Sequence, residues 1–298
     1  MFEFFANLFG YLLQFLYGLV NNYGIAIILF TVIIKLILLP LSIKQQKTMK
    51  KSSELQEKMK VIQFKYKSDP EKMNQEMMSL YKSENMSPFS GCLTAIVQLL
   101  LLLSIFYLVR SPLTFMEKIP TENINHYVQQ LQESGKTVSQ VYPEIDLIRE
   151  HQFLKEKNPE DANVDKLNIQ MNFLGLDLSK IPQQNMTDYT VYIIPALYIL
   201  SSFISIRMTT AMQLKNANKQ KEEKAIIDGT TGKELIPQEE NNEMDAVMQT
   251  NKMMSWMMPI MSISIAFIAP LGLALYWFVS NILMIIERVI TSKFIKEE

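Results

Sequence analysis

The feature that most constrains this chain is an apolar run of 34 residues, 253–286, which is too long for one membrane crossing. As a single helix it would be about 50 Å long, whereas the hydrocarbon core of a bilayer is about 30 Å thick. The sequence Ala269-Pro270-Leu271-Gly272 interrupts the run, and proline and glycine so close together favour a turn. The run therefore predicts two short antiparallel membrane spans, 253–269 and 271–286.

Three other apolar runs are predicted to cross the membrane, at 23–41, 92–109 and 189–206. In lipid the backbone must satisfy its hydrogen bonds internally, which takes a helix of about 20 mostly apolar residues. We expect Pro40 to stop the first span and Pro195 to kink the third. Residues 1–22 are also apolar and rich in aromatic side chains. They predict an extracytoplasmic interfacial amphipathic helix, with a sixth span as the alternative.

Composition excludes several classes of protein. The chain carries 29 Lys and Arg against 30 Asp and Glu, so it is not a basic nucleic-acid binder, and no direct DNA binding is expected. A single cysteine, Cys92, excludes an internal disulfide, and two histidines cannot build a His-rich metal site. The run 229–234 lacks the glycine spacing of a phosphate-binding loop. We expect no cofactor, no metal, no catalytic residue and no enzymatic reaction.

The distribution of lysine and arginine predicts the orientation of the spans. No basic residue precedes Lys35, whereas the loop 42–88 holds ten lysines against six acidic residues. The loop 110–188 instead holds eight basic and twelve acidic residues. Basic residues near span ends favour the cytoplasm. The N-terminus is therefore predicted outside and the C-terminus, 287–298, in the cytoplasm.

The loops between the spans differ in character. Residues 42–91 are predicted to form a cytoplasmic helical hairpin, because 42–66 is rich in helix formers and Asp69-Pro70 is a typical start for a second helix, about 70–83. Residues 110–188, an extracytoplasmic loop with short apolar patches, are expected to pack as a small cap. Residues 207–252 form a polar loop predicted to be cytoplasmic.

Lys35 is the only charge within the first predicted span. A lysine at the bilayer centre costs about 2.5–3.5 kcal/mol on insertion scales, so it either snorkels to the nearby cytoplasmic end or faces a bundle interior or hydrated cavity. Thr31 lies one turn away on the same helix face. Gln98 and Asn281 add amides in the second and fifth spans, and no predicted span contains an acidic residue. These features favour a hydrated cavity in which Lys35 attracts a carboxylate.

Three segments together resemble one family, the YidC/Oxa/Alb membrane protein insertases, in its five-span bacterial form. They are YGIAIILFTVIIKLILLPLSIKQQKTM (23–49), KYKSDPEKMNQEMMSLYKSENMSPFSGCL (65–93) and PLGLALYWFVSNI (270–282). The resemblance implies a hydrophilic groove, open to the cytoplasm, that contains Thr31 and a basic residue, here Lys35 in place of the usual arginine. It also implies that Tyr276 and Trp277 contact a nascent helix. Thr94 stands where relatives commonly have proline.

The fold implied is an all-α integral membrane protein with five transmembrane helices, an N-terminal interfacial helix and the cytoplasmic hairpin. The implied function is to insert and help fold small, mainly single-span proteins into the bacterial plasma membrane without nucleotide hydrolysis, alone or with the secretion channel. Expected partners are nascent membrane proteins, the ribosome or targeting machinery through 42–91, secretion-channel subunits and membrane lipids.

Two other functions are consistent with the residues. A secondary transporter would use Lys35 as a coupling site, although the chain has no internal repeat of the kind that transporters commonly contain. An assembly scaffold for a secretion channel would need no groove.

Overall fold

The computed structural model describes residues 2–66, 68–84, 90–227 and 264–294, which are mainly helical. The helices are α1 (Phe2–Val20), α2 (Tyr23–Lys65), α3 (Pro70–Ser83), α4 (Ser90–Arg110), α5 (Pro112–Phe115), α6 (Thr121–Glu133), α7 (Pro143–Arg149), α8 (His151–Lys157), α9 (Ala162–Asp165), α10 (Ile193–Ile227) and α11 (Leu271–Phe294). Two short strands, β1 (Asn172–Phe173) and β2 (Leu176–Asp177), and two 3-10 helices, Pro182–Gln184 and Tyr189–Tyr192, precede α10.

The chain divides into two compact units. The first comprises Met1–Ile37, Leu99–Phe203 and Trp256–Glu298, and the second comprises Leu38–Gln98 and Ile204–Ser255. The first unit contains residues 110–188 and the N-terminal parts of α2 and α10. The second contains the rest of α2 together with α3.

Four described segments are long and apolar enough to cross a membrane: Phe2–Val20, Tyr23–Thr48, Tyr189–Ala211 and Leu271–Thr291. A shorter apolar helix covers Leu99–Arg110. These segments are those of a multi-pass membrane protein. The count of five spans stays a prediction, because α1 is also long enough to cross and residues 253–263 of the predicted fourth span lie outside the described residues. Within the described remainder of that span, residues 264–268 are helical and the helix breaks at 269–270, before α11.

Two prolines act differently from the prediction. Pro40 lies inside α2, which continues to Lys65, so Pro40 does not end the helix, and the end of the first span at residue 41 stays a prediction. An internal proline removes one hydrogen bond and costs about 3 kcal/mol, but the helix formers that follow sustain the helix. Pro195 lies in the first turn of α10, because Tyr189–Tyr192 forms a separate 3-10 helix. The first backbone N–H groups of a helix have no internal acceptor, so the proline costs little there.

Helix α1 packs closely against the short helix α5 in the first unit. Its buried face consists of Ala6, Phe9, Gly10, Leu13 and Leu16. Gly10 touches the backbone of α5, since a Cβ atom on it would lie 1.8 Å from the carbonyl oxygen of Phe115. On the opposite face, Phe4, Leu8, Tyr11, Phe15 and Leu19 are exposed. An exposed apolar face is what lipid contact requires, but whether α1 lies along the surface or crosses stays a prediction.

The loop 110–188 folds into a subdomain with its own core, which we call the outer cap (residues 111–188) after the side on which it is predicted to lie. Leucines from separate helices, Leu113, Leu131, Leu147 and Leu154, are fully buried in it. Glu144 is also buried, and its carboxylate accepts hydrogen bonds from the backbone N–H groups of Leu113 (2.7 Å) and Thr114 (3.0 Å) and from the Thr114 hydroxyl (2.7 Å). Burial raises the pKa of Glu144, while these hydrogen bonds act in the opposite direction. Glu144 therefore joins α7 to the start of α5.

The segment 170–180 of the outer cap contacts the first turns of α2 and α11. The Tyr23 N–H donates to the Gln170 carbonyl at 3.0 Å, and the Leu271 and Gly272 N–H groups donate to the carbonyls of Lys180 (2.9 Å) and Leu178 (3.0 Å). The two helix starts are also neighbours, because a Cβ atom on Gly272 would lie 3.4 Å from the Tyr23 ring. The outer cap thus satisfies donors at both helix starts.

In the second unit, contacts join the end of α2 to α3. Lys58 forms an ion pair with Glu84, and the Tyr81 hydroxyl donates to the sulfur of Met59 at 3.4 Å. Asp69 caps α3 by accepting a hydrogen bond from the Lys72 N–H. Helix α3 covers the range that the Asp69-Pro70 pattern predicts. That this pair of helices lies in the cytoplasm stays a prediction.

We expect Gly10→Ala to separate α1 from α5, because the added methyl group would overlap the Phe115 backbone. The matched control is Gly18→Ala, where no atom lies within 4 Å of the new Cβ. That change should stabilise α1 by about 0.5–1 kcal/mol, since alanine has the higher helix propensity. Hydrogen exchange of α1 in nanodiscs measures both effects. Equal protection in the two variants would show that the close contact is absent.

We expect Glu144→Ala to destabilise the outer cap. The two N–H groups at the start of α5 would lose their acceptor, and an unsatisfied buried donor costs about 1–3 kcal/mol. Thermal unfolding of the detergent-solubilised chain provides the measurement, with the exposed Glu160→Ala as control. A melting temperature equal to that of the control would mean that water replaces the carboxylate at no cost.

Candidate functional site

The first unit contains a set of polar side chains within its apolar helices, which we call the polar cluster. Its members are Thr31 and Lys35 on α2, Ser201 and Ser202 on α10, and Ser280, Asn281, Glu287 and Thr291 on α11. Each comes from a helix that is otherwise apolar enough to span a membrane. Polar groups in such helices usually face protein or water rather than lipid.

Thr31 and Lys35 lie one turn apart on the same face of α2. Thr31 is 1% exposed, and its hydroxyl donates to the Ile27 carbonyl at 2.6 Å, so it is satisfied within its own helix. Lys35 is half-buried, in contrast to the exposed Leu36 and Ile37 that follow it. The face of α2 that carries Lys35 is therefore distinct from the face exposed for lipid.

Glu287 is the residue that sequence reasoning missed. The fifth span was predicted to end at 286, but α11 continues to Phe294, and Glu287 is buried at 9% exposure. The charges of Glu287 and its neighbour Arg288 both act on Lys35. Periodicity offers a signal, since Ser280, Glu287 and Thr291 share one face of a helix with Tyr276. Lys35 thus has an acidic group near it, although the sequence predicts none within the spans.

A direct hydrogen bond joins α10 to α11 within the polar cluster. The Asn281 side-chain amide donates to the Ser202 hydroxyl at 2.8 Å and lies 3.5 Å from that of Ser201. Ser201 in turn donates to the Tyr198 carbonyl at 2.8 Å, and both serines are buried. Asn281 therefore has a polar environment supplied by a neighbouring helix.

The aromatic residues predicted for substrate contact occupy different environments. Tyr276 is half-buried, and a hydrogen bond joins its side chain to that of Ser280 one turn later. Trp277 is 9% exposed, and its ring lies 5.7 Å from that of Tyr198. Trp277 thus packs between α10 and α11, while Tyr276 lies on the face of α11 that carries the polar residues.

Gln98 belongs to α4, but its side chain lies outside the described part. Of the other predicted residues, Lys35 lies within electrostatic range of α11, and Asn281 is bonded to α10. Among the described residues, no group of His, Cys, Asp and Glu could hold a metal ion. What the arrangement offers chemically is the cation of Lys35 with the opposite charges of Glu287 and Arg288 acting on it, and several hydroxyl and amide groups among apolar helices. A cation among hydroxyl and amide groups can attract a carboxylate.

Comparison with known proteins adds the family. The sequence model described as 60Kd inner membrane protein matches residues 15–298. The chain is 43% identical over 102 residues to the membrane protein insertase YidC of Caldanaerobacter subterraneus subsp. tengcongensis, an alignment that covers 34% of this chain and 50% of that protein. Over 101 residues it is 44% identical to the protein of the same name from Cupriavidus necator, covering 34% of this chain and 18% of the relative.

A third relative, from Clostridium perfringens and also named membrane protein insertase YidC, is 41% identical over 111 residues, which cover 34% of this chain and 47% of the relative. The chain thus spans half or less of the length of each of these relatives. The family match, in contrast, extends over nearly the whole chain. The chain therefore belongs to the 60Kd inner membrane protein family, the YidC/Oxa family that its three sequence segments resemble.

Proposed function

We propose that this protein is a membrane protein insertase that moves small, mainly single-span proteins into the bacterial plasma membrane through a hydrophilic groove containing Lys35. The observation that carries the proposal is a half-buried lysine within the apolar helices of a chain from this family, with Thr31 on its helix face and the charge of Glu287 acting on it. The insertase names of the relatives support it over the aligned third of the chain.

The proposed reaction needs little energy from the protein. Burial of the substrate's own apolar helix in lipid supplies the driving force, at about 25 cal/mol for each Å² of apolar surface removed from water. The barrier is the transfer of the substrate's polar tail across the hydrocarbon. A groove lined by hydroxyl and amide groups lowers this barrier, because it replaces part of the tail's hydration. No nucleotide hydrolysis is therefore required.

Lys35 attracts an acidic substrate tail, and Glu287 limits how tightly that tail binds. A substrate carboxylate that approaches Lys35 enters a region where the charges of Glu287 and Arg288 already act on the ammonium group. Because the like charge of Glu287 opposes the newcomer, the tail is bound transiently and released. Asn281 is half-buried and contributes a polar side chain to α11, and the buried serines of α10 hold its amide in place.

Residues 42–91 receive the substrate in this proposal. They form the part of the chain that contacts the ribosome or targeting machinery, with the exposed surface of α3 available for this contact. The protein acts alone or beside the secretion channel, and catalyses translocation without a chemical reaction. The polar cluster lies in the first unit, whereas residues 42–91 lie in the second. Mutations can therefore separate passage of the substrate through the groove from contact with the ribosome or targeting machinery.

We expect Lys35→Gln to slow insertion of a single-span protein with an acidic tail about tenfold or more. A hydrogen bond to a charged group contributes about 1.5–3 kcal/mol, and each 1.36 kcal/mol of barrier is tenfold in rate. The measurement is protease-protected product in proteoliposomes that contain only this protein, without nucleotide. Lys35→Arg is the matched control, since it keeps the charge, and should insert the acidic tail faster than Lys35→Gln does. The same substrate with a neutral tail should be insensitive to Lys35→Gln.

The outcomes of this experiment separate the parts of the proposal. Equal insertion of the acidic tail by the wild type and Lys35→Gln would reject the role of the charge but leave insertase activity. No product from a folded wild-type preparation would reject autonomous insertion and favour a scaffold. Anion- or proton-coupled flux through the same proteoliposomes would favour a transporter.

We expect Asn281→Leu to reduce insertion of acidic and neutral tails alike, because it removes groove polarity and not charge. Interhelical hydrogen bonds in membranes contribute about 0.6 kcal/mol on average, so the reduction should be about threefold for both tails. The same proteoliposome assay measures it, with the adjacent exposed Ile282→Val as control. A loss confined to the acidic tail would show that Asn281 acts through Lys35 instead.

A further inference from the structure

An exposed leucine occupies a position in the outer cap that is unfavourable for it in two respects. Strands β1 and β2 pair with Asn172 opposite Asp177 and Phe173 opposite Leu176, which leaves Leu174-Gly175 as a two-residue turn. Both turn residues have positive φ, 51° for Leu174 and 82° for Gly175. A turn of this type favours Asn-Gly, because a side chain such as leucine is strained in the left-handed region.

The position is also unfavourable because the side chain of Leu174 is exposed. Leu174 is 86% exposed, the highest value among the exposed large apolar side chains of the described residues. In water this turn would place a strained, unshielded leucine where asparagine would be favoured. Backbone strain of this kind persists where another interaction offsets it. Transfer of the leucine side chain from water to an apolar environment is such an interaction.

The outer cap attaches the hairpin to the first turn of a predicted span, so the hairpin lies beside the point at which that span would enter the membrane. The Phe173 ring packs directly on Gly24, where an added Cβ atom would lie 2.5 Å from it. The Asn22 side chain donates to the Asn172 carbonyl at 2.7 Å. Tyr23 begins the apolar segment Tyr23–Thr48. The turn begins one residue after Phe173, and consecutive Cα atoms are about 3.8 Å apart.

An exposed aromatic residue lies close to the hairpin. Strand β2 packs against the 3-10 helix Tyr189–Tyr192, and Tyr189 is 83% exposed. That helix begins the apolar segment Tyr189–Ala211. Tyrosine at the end of a span is typical of the membrane interface, a layer about 5–8 Å thick on each side of the hydrocarbon. Leu174 and Tyr189 thus extend from span ends into the same layer.

We infer that the tip of the β1–β2 hairpin, Leu174 with Tyr189 beside it, inserts into the lipid leaflet at the N-terminal ends of α2 and α10. In the predicted orientation this is the outer leaflet. The two side chains contact lipid at the boundary between headgroups and acyl chains, a region that favours tyrosine and isolated apolar side chains. The insertion holds the outer cap at a fixed depth relative to the helix starts that it contacts.

The test places a fluorescent probe on the tip of the protein in nanodiscs. The variant is Leu174→Cys in a Cys92→Ser background, labelled with a polarity-sensitive probe. The control position is Gln132→Cys, on the exposed surface of α6. Lipids carrying a spin label near the headgroup and aqueous iodide act as the two quenchers. We expect the lipid quencher to reduce emission at 174 about twofold more than at 132, and iodide to show the reverse.

Two results would overturn the inference. Iodide quenching at 174 as strong as at 132 would show that the tip lies in water. Protection of 174 from both quenchers would show that a protein, such as a second copy of this chain, covers it. Tyr189→Cys in the same background gives the same readout if Leu174→Cys fails to fold. Leu174→Asn gives the turn its preferred Asn-Gly sequence and should fold as well as the wild type. This variant therefore removes the apolar side chain without destabilising the hairpin.

Discussion

The first turns of α2 and α11 depend on the outer cap for the hydrogen bonds that those helices cannot supply. A helix that ends at a membrane surface leaves backbone N–H groups without internal partners, and lipid supplies none. Carbonyls of the segment 170–180 accept from Tyr23, Leu271 and Gly272. This interaction requires a long outer loop folded into a subdomain. The outer cap is therefore part of the structure that completes the starts of α2 and α11, and it does more than connect two spans.

The same attachment affects the polar cluster. Because the outer cap joins the N-terminal ends of α2 and α11, those ends are fixed next to each other, with Gly272 against Tyr23. The polar residues lie farther along the helices: Lys35 is 12 positions after Tyr23, and Glu287 is 16 positions after Leu271. A pair of helices that is packed at one end and polar farther along is consistent with a groove that opens away from the packed end.

Features that depend on local sequence could be predicted, whereas those that depend on distant partners could not. The start of α3 follows from Asp69-Pro70, and the break at 269–270 follows from proline and glycine. The hydrogen bonds between 170–180 and two helix starts join residues about 90–150 positions apart, so no local pattern contains them. The predicted fifth span ends before Glu287, because an apolar pattern ends at the first charged residue. The helix itself continues to Phe294, and Glu287 is buried within the protein.

Thr31 and Lys35 show how the candidate site could be anticipated in part. Helix periodicity alone places them on one face, and the insertion cost of a charge indicates that this face has a polar or charged neighbour. The identity of that neighbour requires the packing of α2 near α11. The environment of Trp277, in contrast, could not be predicted. Its burial against Tyr198 depends on the packing of α10, which the segment around Trp277 does not determine.

Lysine in place of the arginine common in this family is consistent with a site that contains its own carboxylate. An arginine holds a carboxylate through two parallel hydrogen bonds in a fixed plane, whereas lysine acts as a compact point charge on a flexible chain. If the residue at 35 were arginine, Glu287 could form a two-bonded pair that a passing substrate would have to break. With lysine, the charge at 35 has no fixed plane of approach, so a substrate carboxylate can be held without displacing a bidentate pair. In the proposed mechanism, Lys35 and Glu287 are therefore suited to each other, and the exchange of one carboxylate for another is the step that the pair makes easy.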